Sequence, residues 1–395
     1  MASFFNERID SMLYFDHAAS SFPKPNEVGE AMKEAVDEFA ANPGRGGHAL
    51  SQKAASIVKQ ARSEIAHFFE APHANHVWFY QNATMALNQA ILGFPFSSGD
   101  HIITTSYEHN SVLRPLHRLK QEMNVQVTYL TPDDSELFQV EDVLEHITDQ
   151  TKMIVISHAS NVTGAVFPIN ELGEQLKDRS ITVVVDASQT AGKLDIQMKR
   201  DHIDLLAVAG HKGLLGPQGT GALISLNDYQ LKPLILGGTG AYSELETQPP
   251  NWPERYEAGT LNTPGIAGLL AGVQEIKARG VATIQAHEET LMQQFLEGMS
   301  TIEAVTCFGP TDLKKRVAVV SFHVKHIASH ELAMILDNHY RIAVRAGLHC
   351  SPKTHQHLQT ADEGLVRVSF GPYNTIEEVQ QLIDAINDIV EALTE

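Results

Sequence analysis

The stretch AVAGHKGLLGPQGTG, residues 207 to 221, sets Lys212 in a turn of small residues just beyond the apolar run Ile203 to Val208. Desolvation at such a strand end lowers a lysine pKa and frees the neutral amine for a Schiff base, although a lone lysine in a turn is usually a solvated one. Lys212 has company. Asp186 closes the run VVVD, where a carboxylate either meets a cation or caps a following helix. His109, in SYEHNSVLRP, could stack on a planar ring or shuttle a proton, though it is one of 20 histidines. Asn161 and Gln189 offer amide donors to a ring oxygen or a carboxylate, or act as turn residues. Thr84 opens the amphipathic stretch TMALNQAILG, so its hydroxyl and the N–H groups behind it could hold an anion; an ordinary N-cap threonine would look the same.

These residues need a frame that gathers them. Short β-rich runs alternate with amphipathic segments: VWFY from 77, HIITT from 101, QVTYL from 126, KMIVIS from 152, ITVVVD from 181 and IDLLAVA from 203. Several are apolar throughout, as parallel strands covered by helices on both faces are, which predicts an α/β fold. Sites in such sheets lie beyond the carboxyl ends of the strands. Here those ends read QNAT, SYEHN, SHASNVTG, DASQT and AGHKG, and every residue named above falls in one of them. An amine, a carboxylate, a ring-stacking imidazole, amide donors and a phosphate cradle at one sheet edge meet the needs of pyridoxal phosphate. Lys212 would then hold it as a Schiff base and Asp186 would face its protonated pyridine nitrogen.

Ahead of the first strand, Val28, Met32, Ala35 and Phe39 recur at helical spacing after Asn26. A second helix with Ile57, Val58, Ala61, Ile65 and Phe68 on one side is expected to follow Ser51 as its cap. A Pro/Gly-rich passage, 236–265, precedes a long helix and then strands such as VAVVSFHV from 317, which predicts a domain boundary near Pro264.

The chain of 395 residues suits a large domain plus a smaller one. With 43% apolar and 19% charged residues it has the composition of a folded globular protein. Its formal charge of −19 and its lack of a basic run argue against nucleic acid or an anionic membrane as partner. MASFFNERIDSML lacks the unbroken apolar segment of a signal peptide, and no run reaches membrane-span length, so a cytoplasmic protein is expected. Two cysteines far apart, Cys307 and Cys350, make a disulfide framework unexpected.

Through YFDHAASSFPKP from 14, SYEHN, SNVTG, VVVDASQT, GHKGLLGPQGTG, RYEAGTLNTPG and VRVSFGPYNTIEEV from 366, the chain resembles the class V aminotransferases of fold type I, and among them the cysteine desulfurase and selenocysteine lyase branch. The resemblance implies a large domain with a mainly parallel seven-stranded sheet flanked by helices, plus a smaller α+β C-terminal domain. It implies a segment 1–20 associated with the small domain, a large cofactor-binding domain over 21–264 and a small domain over 265–395 carrying the Cys350 loop. It implies a homodimer with the site at the subunit interface. By motif, Lys212 matches the Schiff-base lysine, Asp186 the pyridinium partner, His109 the ring-stacking histidine and Gln189 the donor to the phenolate oxygen. Ala83, Thr84 and His211 match phosphate contacts, and Thr260 resembles the threonine that reaches the phosphate of the neighbouring subunit. Asn161 and Arg367 match the residues that receive the substrate α-carboxylate, a group that arginine binds bidentately.

The branch turns on VRAGLHCSPKTHQHL, 344–358. Cys350 sits there in a polar loop near Arg345 and His349, surroundings that could favour the thiolate; the alternative is an inert, half-buried thiol. In cysteine desulfurases the matching cysteine takes sulfur from L-cysteine as a persulfide, leaves L-alanine and passes the sulfur to an acceptor protein. The resemblance therefore implies a sulfurtransferase of this kind. Selenocysteine is a close alternative substrate, and an aminotransferase, a C–S lyase or an epimerase is the alternative if Cys350 takes no part. A cofactor-free scaffold would have no need of both Lys212 and Asp186. Cys307 reads as an apolar strand residue, and His355 and His357 as solvated loop residues rather than metal ligands. Two departures stand out: Ala209 replaces a serine common in relatives, and Asn82-Ala83 stand where Gly-Thr is common, which predicts rearranged phosphate contacts.

Overall fold

The structure, a computed structural model, describes residues 12–44, 47–132 and 137–394; residues 1–11 of the expected N-terminal segment lie outside them. Strand β1 (Leu13–Tyr14) leads to helices α1 (Asn26–Phe39) and α2 (Ala49–Phe68). Helix α1 buries Val28, Ala35 and Phe39, in line with its spacing. The cap of α2 is His48 rather than Ser51: the His48 side chain accepts from Ser51 N, and Ser51 lies inside the first turn. Its hydroxyl instead donates to the Asn42 and Gly44 carbonyls at 2.8 and 3.1 Å, tying down the preceding loop.

The chain then alternates through β2 (Val77–Tyr80), α3 (Ala83–Leu92), β3 (His101–Thr105), α4 (Asn110–Met123), β4 (Gln126–Leu130), α5 (Val140–Glu145), β5 (Thr151–Ser157), α6 (Ile169–Leu176) and β6 (Thr182–Asp186). Strands β7 (Leu205–Ala209) and β8 (Gly221–Ser225) complete a seven-stranded sheet in the order β2-β8-β7-β6-β5-β3-β4. Only β8 runs against the rest, pairing antiparallel with β2 and β7. The unbroken apolar runs are explained by the two cores they serve. Ile154, Val183, Val185, Leu206 and Val208 pack with Ile65 of α2 on one face; Val155, Val184, Leu205 and Ala207 pack with Leu87 of α3 and Leu116 of α4 on the other. Each such buried Val, Leu or Ile contributes about 1.5–3 kcal/mol. This fixes the sheet, and with it the row of carboxyl ends on which the candidate residues lie.

Helix α7 (Thr263–Arg279) starts at an Asn262 cap with Pro264 in its first turn and packs against α1 and α2; its Leu269 and Val273 join the core of the large sheet. Beyond it come α8 (Val281–Met299), β9 (Val305–Phe308), β10 (Val319–Val324), α9 (Ser329–Ile335), β11 (Ile342–Ala343), β12 (Arg345–Gly347), α10 (Pro352–His357), β13 (Leu365–Ser369) and α11 (Ile376–Thr394). A four-stranded antiparallel sheet, β12-β13-β10-β9, shares a second core with Leu291 and Phe295 of α8 and Ile386 of α11. Phe15 lies in that core too, and β1 pairs parallel with β11. Strand β10 begins at Val319 rather than Val317 because the loop after β5 takes the preceding residues: Val317 N donates to Gly164 O, and Arg316 bridges Ala165. Among the described residues no helix is long and apolar enough to cross a membrane.

Candidate active site

Lys212 stands in the connection from β7 to β8. The turn closes on itself through Gly210 N to Thr220 O, Gly216 N to Gly210 O and Leu215 N to Lys212 O. It is also pinned from outside. Ser21 N donates to His211 O, Ser21 Oγ to Lys212 O at 2.9 Å, and Lys24 Nζ to His211 O at 2.8 Å. The SSFPKP segment thus holds the backbone of the His-Lys pair, a role that local patterning did not reveal because the partners lie 187 and 191 residues apart. Burial lowers the Lys212 pKa to about 8; Arg367 and Arg345 add to the effect and Asp186 opposes it. A neutral amine is therefore available near neutral pH.

Asp186 ends β6 almost fully buried. It caps no helix: Ser188 N, at 2.9 Å, and Ser188 Oγ both donate to Oδ1, and Oδ2 has no hydrogen bond among the described residues. Gln189 is buried nearby and donates to Ala18 O at 3.0 Å. His109 caps α4, its Nδ1 accepting from Ser111 N at 3.0 Å. An amide N–H can only donate, so Nε2 carries the ring proton. Burial lowers the His109 pKa to about 4, which leaves a neutral ring on the cavity wall. The adjoining Glu108 is fully buried, accepting from Thr105 Oγ1 and from Ser157 N and Oγ. Burial raises its pKa to about 7 against those donors.

At another side of the cavity the N-terminus of α3 supplies an anion cradle. Asn82 is the cap and binds Met85 N at 3.0 Å, so Thr84 lies inside the first turn, and the Ala83 and Thr84 N–H groups precede the first intrahelical bond. Thr84 Oγ1 lies 2.7 Å from Ser111 Oγ, which brings a second hydroxyl that sequence reasoning missed. His211 Nδ1 is buried with no hydrogen-bond partner among the described residues. Strand β8 approaches Asn82 so closely that a Cβ on Gly221 would lie 2.7 Å from its carbonyl carbon, which explains glycine there. Ala83 and Ala209 offer no side-chain donor, and Ser111 with Thr84 supplies the hydroxyls.

Cys350 is exposed, at the rim of the same cavity. Arg367, buried on β13, donates through one terminal nitrogen to Asn161 O at 3.0 Å and through the other to Asp16 Oδ1 at 2.8 Å, leaving Nε–H without a partner among the described residues. Burial holds His349 far below the usual histidine range, so it brings no positive charge to Cys350, contrary to the expectation from sequence; Arg345 lines the same cavity. His355 is likewise not a solvated loop residue: it is fully buried in α10 and bonds Thr360 Oγ1 at 2.8 Å. Cys307 lies on β9, and burial pushes its thiol up to about 11.

One cavity of about 220 Å³ is lined by Ala83, Thr84, His109, Asn161, Asp186, Gln189, His211, Lys212, Cys350 and Arg367. Of the residues that the resemblance assigns to the site only Thr260 is elsewhere, exposed on the wall of a separate groove. Ser111, Ser188 and Arg345 join the lining. A carboxylate oxygen without a partner, an amine of lowered pKa, an unpaired imidazole nitrogen and a helix N-terminus fit the ring nitrogen, carbonyl and phosphate of pyridoxal phosphate. The fold and this cavity define a pyridoxal-phosphate-dependent enzyme of fold type I.

Comparison with known proteins narrows the class. The aminotransferase class-V family model matches residues 13–382, and the chain belongs to that family, whose members use pyridoxal phosphate. It is 35% identical over 97% of its length, and 95% of the relative's, to a probable cysteine desulfurase of Pyrococcus abyssi. The apo structure of a cysteine desulfurase from Thermococcus onnurineus NA1 superposes with a TM-score of 0.92 at 35% identity, covering 97% of this chain and 96% of that one. The cysteine desulfurase CsdA from Escherichia coli gives 0.88 at 26% identity, covering 98% and 96%.

Proposed function

We propose that the protein is a pyridoxal-phosphate-dependent cysteine desulfurase that moves the sulfur of L-cysteine onto Cys350 and leaves L-alanine. The observation that carries this reading is an exposed thiol on the rim of the cavity that also holds Lys212 and Asp186. Its full-length similarity to cysteine desulfurases supports it.

In this reading Lys212 holds the cofactor through its amine, Asp186 pairs with the ring nitrogen, Gln189 with the phenolate oxygen, and His109 covers the ring. Ala83 N, Thr84 and His211 hold the phosphate. When bound, pyridoxal phosphate supplies an electron sink conjugated to the substrate's α-carbon. Arg367 and Asn161 orient the substrate carboxylate, with the unpaired Nε–H of Arg367 available to it. Lys212 would move protons at the substrate carbons, a task suited to an amine whose pKa is near 8. The Cys350 thiolate attacks the substrate sulfur. An S–S bond forms as the C–S bond breaks, the electron pair stays with the substrate carbon, and a proton there completes alanine. The outer sulfur of the persulfide then passes to a thiol of an acceptor protein, the S–S bond to Cys350 breaking and Cys350 returning to the thiolate.

A cytoplasmic homodimer is part of the proposal. The exposure of Leu234, Ile235 and Leu236, and the position of Thr260 away from the Lys212 cavity, support a second copy there. The division into domains over 21–264 and 265–395, with β1 joined to the second, is also proposed, α7 being the connecting helix. The test is to incubate the purified, cofactor-loaded protein with L-cysteine and a reductant and to measure sulfide and alanine together, beside Cys350→Ser. Equal amounts of both products, lost in a variant that keeps its cofactor absorbance, is the expected result. Activity indifferent to Cys350 would sink the reading.

A further inference from the structure

Residues 348–351 form a turn closed by Ser351 N to Leu348 O at 2.9 Å, with both central residues left-handed: His349 at φ 49° and Cys350 at φ 60°. That pattern is the signature of a type I′ turn, whose central positions normally take glycine, asparagine or aspartate. Neither residue here is one of those, so something outside the turn must hold it. Both central carbonyls are held. Asn110 N, in the first turn of α4 and next to His109, donates to Cys350 O at 2.8 Å. Asn161 Nδ2 donates to His349 O at 2.6 Å. The remaining end of the Asn161 amide is fixed from the turn itself, where the fully buried Ser351 donates its hydroxyl to Asn161 Oδ1 at 2.6 Å.

We infer that Ser351 is a positioning residue: with Asn161 it forms a hydroxyl–amide clamp that holds the His349–Cys350 turn in its left-handed conformation and so presents the Cys350 thiol to the cavity. The inference rests on the desulfurase reading. The Asn161 amide carries two N–H groups, and the turn uses one; the other is left for the substrate α-carboxylate. Its backbone carbonyl is meanwhile held by Arg367 at 3.0 Å. Carboxylate capture and nucleophile placement therefore meet in one side chain. Ser351 touches only the placement half.

The test is Ser351→Ala in the cofactor-loaded, full-length protein, on a Cys307→Ala background in which Cys350 is the only cysteine. Three readouts are taken: the rate of Cys350 alkylation by iodoacetamide without substrate, kcat and KM for sulfide release from L-cysteine, and exchange of the alanine α-proton for deuterium, which needs no thiol. The clamp predicts that alkylation changes by about threefold or more and that kcat falls about tenfold with KM within about twofold, since small displacements of a reacting group are costly. Alanine exchange stays at the parent rate. Parent-like alkylation or parent-like kcat overturns the inference, and so does an equal loss of alanine exchange, which would make Ser351 a support of the whole amino-acid site. If the parent releases no sulfide from L-cysteine, the desulfurase reading fails by itself. The clamp is then judged on alkylation, and an unchanged rate overturns it.

Discussion

Replacing Glu108 with glutamine should leave the protein as stable as the parent in mild acid and make it more stable at neutral pH. Burial raises the Glu108 pKa from 4.5 to about 7, with the nearby Asp186 charge adding to the effect and hydrogen bonds from Thr105 and Ser157 opposing it. Between those values the folded chain keeps a proton that the unfolded chain gives up. The carboxyl therefore favours folding less and less as pH rises from about 4.5 to about 7, and its contribution is level above that. The rise from 4.5 to about 7 corresponds to about 3 kcal/mol. Glutamine mimics the protonated acid. Its oxygen can accept from Thr105 Oγ1 and Ser157 N, as Oε1 does at 2.6 and 3.1 Å, and its amide can donate to Ser157 Oγ, which lies 2.7 Å from Oε2. Urea unfolding of cofactor-free parent and variant, at matched concentration from pH 4.5 to 8, should show a stability difference that grows from near zero to about 3 kcal/mol and then stops changing. A difference that does not vary with pH, or a variant less stable at pH 8, would refute the reasoning by showing that Glu108 folds as a carboxylate.

Two further outcomes follow from the same geometry. Arg367→Lys loses the guanidinium fork that meets Asn161 O, Asp16 and, in the proposed reading, the substrate; kcat/KM for L-cysteine should fall roughly 30- to 1000-fold, equivalent to about 2–4 kcal/mol. Steady-state kinetics checks this, and an unchanged ratio would remove Arg367 from carboxylate binding. Cofactor uptake by the cofactor-free protein, followed by its visible absorbance, should speed up with pH and level off above about 8, where Lys212 is mostly neutral, rather than rise on toward 10.5.

The large sheet was legible because strands buried on both faces leave unbroken apolar runs, and because each run ends in polar residues that the sheet then gathers. Lys212, Asp186 and His109 could be found this way. What could not be found depends on contacts distant in sequence. Ser21 and Lys24 reach Lys212 and its neighbour from the N-terminal segment, and Ser351 reaches Asn161 across 190 residues. A cap is hard to read where two polar residues compete: His48 displaces the expected Ser51, and Asn82 rather than Thr84 caps α3. The charge state of His349 depends on burial, which its polar neighbours in VRAGLHCSPKTHQHL conceal.

The central claim is that substrate sulfur passes to Cys350. The most direct measurement is to mix the cofactor-loaded protein with a single equivalent of L-cysteine, without reductant, and examine the peptide containing Cys350 by mass spectrometry after alkylation. The account predicts a mass gain of one sulfur atom on Cys350, none on Cys307, and alanine formed in equal amount. Alanine or sulfide formed with Cys350 unmodified at every time point would contradict it.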